Sequence, residues 1–99
     1  MAPYVGEWSN GRGEVMVVTA KKMKYGKSEV TYTDITKATD GNSFQLKVNV
    51  KEKMTIFSNF LFVEMLTNKT EMKIKGYDTH AALMEDAEGA SEDHWYRDN

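Results

Sequence analysis

Apolar and polar side chains alternate along much of this chain with a period of two residues. The pattern is clearest in residues 43–51, where Phe44, Leu46, Val48 and Val50 alternate with polar residues. A period of two places successive side chains on opposite faces of a β-strand. We therefore predict a strand here with one buried face.

Short turn sequences separate the alternating runs. The stretch from Asn10 to Gly13 contains two glycines and an asparagine, which readily take the positive φ angles of a tight hairpin. It predicts that residues 4–9 pair with residues 14–19. Comparable turn signals occur at three further places, namely Gly26-Lys27, Asp40-Gly41 and Asn68-Lys69.

Local antiparallel pairing of successive strands predicts a meander. Closure into a barrel is the usual way for a meander to bury one face without leaving open edges. The predicted fold class is mostly β: an antiparallel up-and-down β-barrel of about seven or eight short strands with a short C-terminal helix. Residues 1–77 form the body of the barrel in this interpretation.

The pattern changes after residue 77. Residues 80–88 are rich in helix formers, with Asp78 or Thr79 as the N-cap and Gly89 as the stop signal. We expect residues 78–99 to form an acidic helix and tail that pack on the barrel. A free arm for a protein partner is the alternative.

Charge and composition favour a docked tail. Residues 78–99 carry seven acidic residues and one arginine, a net charge of −6, while the rest carries +4. Trp95 and Tyr96 are also costly to leave in water. The 99 residues suffice for one domain.

Composition also narrows the class of protein. The chain has no cysteine, which rules out disulfides, thiol catalysis and zinc-thiolate sites. Its longest apolar run, FLFV, is far shorter than a membrane span. A soluble protein with no membrane contact is expected, and the sequence does not indicate a compartment.

The first strand carries a short motif, Gly6-Glu7-Trp8. This G-x-W resembles the opening of lipocalin-like (calycin) β-barrels, and residues 8–16 are similar to the first hairpin of avidin-type barrels. The resemblance implies that Trp8 closes one end of the barrel. A barrel this small is mostly filled by its own side chains, so a ligand site would be a narrow interior or mouth site.

Five aromatic residues are candidates for binding. For one of them, Trp8, a purely structural role as a buried plug of the barrel is favoured. Residues 60–66 are apolar on both faces, so the outer face requires a cover from the C-terminal helix, a partner or a ligand. Trp95 and Tyr96 are the large apolar groups of the tail. The candidates are Trp8, Phe60, Phe62, Trp95 and Tyr96.

Sequence signals for chemistry are weak. No nucleophile elbow or phosphate-binding loop is present. His80 and His94 lack the spacing of paired metal ligands, so we expect no metal site and no cofactor. Lysines near Tyr25 could bind single-stranded nucleic acid, but a net charge of −2 disfavours this.

These observations predict a non-enzymatic binding or protein-interaction domain, lipocalin-like, for a small apolar molecule or a protein partner. One alternative is a small-molecule enzyme on a calycin-like barrel that uses polar groups at the mouth. An OB-type barrel that binds single-stranded nucleic acid is a less favoured alternative.

Overall fold

The computed structural model describes residues 2–38, 40–49, 58–86 and 90–97. Every strand pairs antiparallel with its neighbours in the sequence, and the last strand pairs with the first, which closes the barrel. The eight strands are β1 (Gly6–Ser9), β2 (Val15–Val18), β3 (Lys22–Tyr25), β4 (Ser28–Asp34), β5 (Ser43–Asn49), β6 (Phe60–Leu66), β7 (Glu71–Tyr77) and β8 (Ser91–Arg97). The predicted fold class, an up-and-down antiparallel barrel with one short helix, is confirmed.

The first hairpin has the predicted pairing. Gly6 lies opposite Val18 and Ser9 lies opposite Val15. Gly11 and Gly13 have φ angles of +79° and +83°, a region that L side chains avoid. The turn sequence therefore determines which strands meet and in which register.

Alternation within the strands builds the core. On β5, Phe44, Leu46 and Val48 are buried while their polar neighbours lie at the surface. Val50, which was predicted to extend this pattern, lies outside the described residues. The other buried interior residues that follow the same rule are Trp8, Met16, Val18, Met23, Tyr32, Leu61, Val63, Met65, Met72, Ile74 and Trp95.

The predicted helix is present as α1 (His80–Glu85). The Thr79 side chain accepts a hydrogen bond from the Ala82 N–H, so Thr79 is the N-cap. The helix ends at Asp86, in the left-handed conformation, and Gly89 lies outside the described residues. A six-residue helix is unstable alone, and α1 packs against β6 and β7 with Leu83 buried.

The two-faced pattern of β6 has a direct explanation in this packing. Leu61, Val63 and Met65 face the barrel interior and are buried. Phe60 lies on the outer face, where its ring is 5.6 Å from that of His80 in α1. The helix thus covers apolar side chains that would otherwise face water.

The connection from β6 to β7 is longer than the two residues predicted. Leu66 pairs with Glu71, so four residues form the connection. Thr67, Asn68 and Lys69 all have positive φ angles, and the Thr70 hydroxyl donates to the Thr67 carbonyl oxygen at 2.6 Å. Asparagine tolerates this conformation better than most residues, which explains the turn signal there.

The C-terminal segment is part of the barrel wall. Residues 91–97 were expected within a tail that packs on the barrel, and the structure places them in β8, between β7 and β1. In the described ranges no helix has the length and apolar character needed to cross a membrane.

Candidate functional site

A cavity of about 290 Å³ lies inside one end of the barrel. In an up-and-down barrel the β1–β2, β3–β4 and β7–β8 connections share one end, and the cavity opens there. We call this end the mouth and the other end the base. The described lining residues are Glu14, Met16, Tyr25, Ser58, Leu61, Ile74, Gly76, Ser91, Asp93 and Trp95.

The inner wall of the cavity is apolar. Met16, Leu61 and Ile74 line it from three different strands and are buried. The Trp95 indole is 4% exposed and meets the Tyr25 ring edge-on, with centroids 5.3 Å apart and planes at 88°. Two aromatic rings held in a fixed geometry give the cavity a rigid side on which a flat ligand can pack.

Gly76 lies close to two serine side chains at the wall of the cavity. A Cβ atom on Gly76 would collide with the Oγ of Ser58 and would lie 2.8 Å from the Oγ of Ser91. Glycine within a strand often marks such a close approach. The missing side chain at position 76 therefore leaves room for the two serine hydroxyls at this side of the cavity.

The mouth carries a hydrogen-bonded acidic group. Asn10 donates from Nδ2 to Glu14 Oε1 at 2.7 Å, and the Tyr25 hydroxyl also donates to Glu14. The hydrogen bond from Tyr25, together with that from Asn10, holds the pKa of Glu14 below its usual value. The same bond, together with burial, raises the pKa of Tyr25 to about 12.

A second carboxylate faces the mouth from β8, and Arg12 lies near both. The Arg12 guanidinium is 3.8 Å from Glu14 Oε1 and 3.9 Å from Asp93 Oδ1. These separations are longer than hydrogen bonds, and 70% of the Arg12 side chain is exposed. Exposed pairs of this kind are weak, so Arg12 is a loosely held counter-ion.

The base of the barrel is built differently. Trp8 is fully buried, and its Nε1 donates to the Tyr4 carbonyl oxygen at 3.0 Å. Arg97 lies over the Trp8 ring, 4.1 Å from Cζ to the centroid, and donates to the carbonyl oxygens of Val5 and Pro3. The N-terminal segment is thereby tied across this end.

The Tyr4 side chain fills the space beneath the N-terminal segment at the base of the barrel. Its hydroxyl donates to Asp34 Oδ2 at 2.6 Å, and its ring packs edge-on against Tyr32 and Phe44. Burial, followed by the bond to Asp34, raises the pKa of Tyr4 far above its ordinary range. This tyrosine therefore stays neutral, and its contacts serve packing at the base.

The five candidate aromatics lie in three different environments. Trp95 lines the mouth cavity, and Trp8 lies under Arg97 at the base. Phe60 and Phe62 are half-buried on the outer face of β6, and Tyr96 is 45% exposed on the outer face of β8. The structure does not bring these residues together.

Four lining residues of the cavity were not identified as site residues from the sequence. Glu14, Gly76, Ser91 and Asp93 come from three separate segments, and only barrel closure places them around one cavity. Two signals were available: a glycine inside a strand, and inward spacing of two between Ser91, Asp93 and Trp95.

No group of three metal-ligating side chains occurs within the described ranges. His94 lies outside the cavity, with Nδ1 2.9 Å from Glu71 Oε2 and Nε2 3.5 Å from Glu92 Oε2. Comparisons of the chain with protein families, curated proteins and solved structures find no significant match.

Proposed function

We propose that this protein is a non-enzymatic binding protein that holds a small, mostly apolar molecule in the mouth cavity, in the manner of a small lipocalin-like barrel. The observation that carries the proposal is the cavity of about 290 Å³, which apolar side chains line together with a few polar groups. Ligand sites typically combine an apolar concave surface with a few polar groups.

The cavity volume limits the size of the ligand. An apolar protein cavity of about 150 Å³ holds benzene, and this cavity has roughly twice that volume. The proposed ligand therefore contains one or two rings or an equivalent aliphatic group. Its flat face packs against Trp95, and its polar end faces Glu14 and Asp93.

The ionisation of the mouth supports binding over catalysis. Efficient proton transfer needs a group whose pKa lies near the working pH. The Tyr25–Glu14 hydrogen bond moves the pKa of Glu14 down and that of Tyr25 up, away from neutrality in both cases. The pair therefore stays as carboxylate and phenol, which suits a fixed binding surface.

A matched pair of tryptophan substitutions tests the proposal. Ile74→Trp fills the cavity from β7, whereas Val17→Trp places the same side chain on the outer face of β2, where Val17 is 37% exposed. One- and two-ring fragments are titrated by calorimetry, and circular dichroism checks that both variants fold. We expect fragments that bind the wild type and Val17→Trp but not Ile74→Trp. Absence of any binding fragment, or equal binding by both variants, would overturn the proposal.

A further inference from the structure

The mouth cavity presents two carboxylates beside two aromatic rings. Glu14 and Asp93 both line the opening, and Trp95 with Tyr25 lines the wall below them. Asp93 is opposite Ile74 and Ser91 is opposite Gly76 in the β7–β8 ladder, so Asp93 and Ser91 project toward the same space. An apolar pocket with this rim matches a molecule that has an apolar body and a positively charged end.

Arg12 indicates where that positive charge would lie. Its guanidinium sits between Glu14 and Asp93, at 3.8 and 3.9 Å, without a hydrogen bond to either. The Glu14 and Asp93 side chains are 44% and 54% exposed, so both carboxylates are accessible to a ligand. A ligand cation that approaches both carboxylates more closely can displace the guanidinium at small cost.

We propose that the mouth cavity selects small organic cations, namely primary amines with an aromatic or compact apolar body, and that Arg12 is the internal cation they displace. The inference rests on the proposed binding function and adds the ligand class. The ammonium group donates to Asp93 and Glu14, and the body packs against Trp95.

Three ligands that share a phenyl ring and differ in the charge of their polar end test the selectivity for cations directly. They are 2-phenylethylamine, 2-phenylethanol and 3-phenylpropionate, which carry a positive, neutral and negative end at pH 7. A charge-assisted hydrogen bond strengthens binding by roughly ten- to a hundredfold, and partial exposure of the carboxylates places the expectation near the lower end. We expect the amine to bind about tenfold more tightly than the alcohol, and the acid to bind most weakly.

Matched variants test whether the carboxylate of Asp93 is responsible for the preference for the amine. Asp93→Asn should reduce the preference for the amine over the alcohol, because only Glu14 then remains to bind the ammonium group. Glu92→Gln is the control, because Glu92 is adjacent in sequence but contacts His94 on the outer face. Arg12→Gln should raise amine affinity a few-fold, since it removes the competing cation. The preference should also shrink at high salt.

The outcomes separate the two proposals. If all three ligands bind equally, or if the acid binds best and Arg12→Gln weakens it, cation selectivity is wrong while the cavity remains a binding site. The same holds if Asp93→Asn and Glu92→Gln have equal effects. If none of the three ligands binds at millimolar concentration, both the binding function and the selectivity are contradicted.

Discussion

The Arg97 guanidinium lies over the ring of Trp8, 4.1 Å from its centroid, and joins the two ends of the chain at the base of the barrel. Its Nη1 donates to the Val5 carbonyl oxygen at 2.9 Å and its Nη2 to that of Pro3 at 2.7 Å. The β1–β8 ladder that these contacts reinforce has only two paired positions. Side-chain bonds thus strengthen the shortest seam of the barrel.

Arg97→Ala should destabilise the protein by about 3 kcal/mol, because it removes two charge-assisted hydrogen bonds and a cation–π contact. Arg97→Lys keeps the positive charge but lacks the planar guanidinium group, and it should lose less unfolding free energy than Arg97→Ala. Urea denaturation followed by circular dichroism measures both free energies of unfolding. Equal stability of the wild type and Arg97→Ala would mean that backbone pairing alone holds the seam.

Trp8→Ala should cost about 3–5 kcal/mol of unfolding free energy, the usual range for a fully buried large aromatic residue. Trp8 does not line the mouth cavity, so ligand affinity of the folded fraction should not change selectively. Thermal unfolding and calorimetric titration test the two parts. A variant that keeps its melting temperature but loses a ligand would make Trp8 a binding residue.

Gly76→Ala should destabilise the protein and weaken ligand binding, because serine side chains already fill the space beside Gly76. The new methyl group would collide with the Ser58 Oγ and would lie 2.9 Å from the Ser58 Cβ, so rotation of the hydroxyl groups alone cannot admit it. The φ angle of Gly76 is not in the left-handed region, so the backbone accepts alanine. Calorimetry with a ring fragment measures the affinity, and Val17→Ala on the outer face is the control. Unchanged affinity would mean that ligand binding does not depend on this side of the cavity.

His94 should make stability depend on pH. The hydrogen bond to Glu71, helped by Glu92, raises the pKa of His94 above its ordinary value, although burial opposes this. Lys73 is opposite His94 in the β7–β8 ladder. Because the folded pKa is higher than the unfolded one, the stabilisation is complete below about pH 6.5 and is lost as the pH rises through the folded pKa. The urea concentration at the midpoint of unfolding should therefore decrease as the pH rises above about 6.5, and His94→Gln should flatten this decrease. An equal fall in that variant would assign the effect to another group.

Alternation and turn chemistry were sufficient to predict most of the barrel. Phe44, Leu46 and Val48 are on the buried face that their spacing indicated, and Gly11 and Gly13 have the positive φ angles that their turn required. Both signals are local in sequence. Alternation is visible in the sequence wherever one face of a strand is buried in a fully apolar layer.

The sequence of β8 has no such alternation of apolar and polar residues. In β8 the inward positions are Ser91, Asp93, Trp95 and Arg97, which change from polar to apolar and back. They do so because the strand runs from the mouth, through the core, to the base. A strand that crosses three environments has no simple hydrophobic period, so residues 91–97 were interpreted as part of a tail.

The site itself depends on contacts between distant segments. Glu14 and Asp93 are far apart in sequence, and the closure between β8 and β1 brings both to the mouth. Gly76 signals a close approach, but only the register with Ser91 identifies the neighbour. Sequence patterns determine which face of a strand is buried, whereas register determines which residues meet.

The most direct test of the binding function follows the indole N–H signals of Trp8 and Trp95 by heteronuclear NMR while a ring fragment or amine is added. Trp95 lines the cavity, whereas the Trp8 N–H is held by the Tyr4 carbonyl oxygen at the base and serves as an internal control. We predict that the Trp95 signal shifts in a saturable way and that the Trp8 signal moves much less. Ligands that shift neither signal, or that shift both equally, would contradict binding in the mouth cavity.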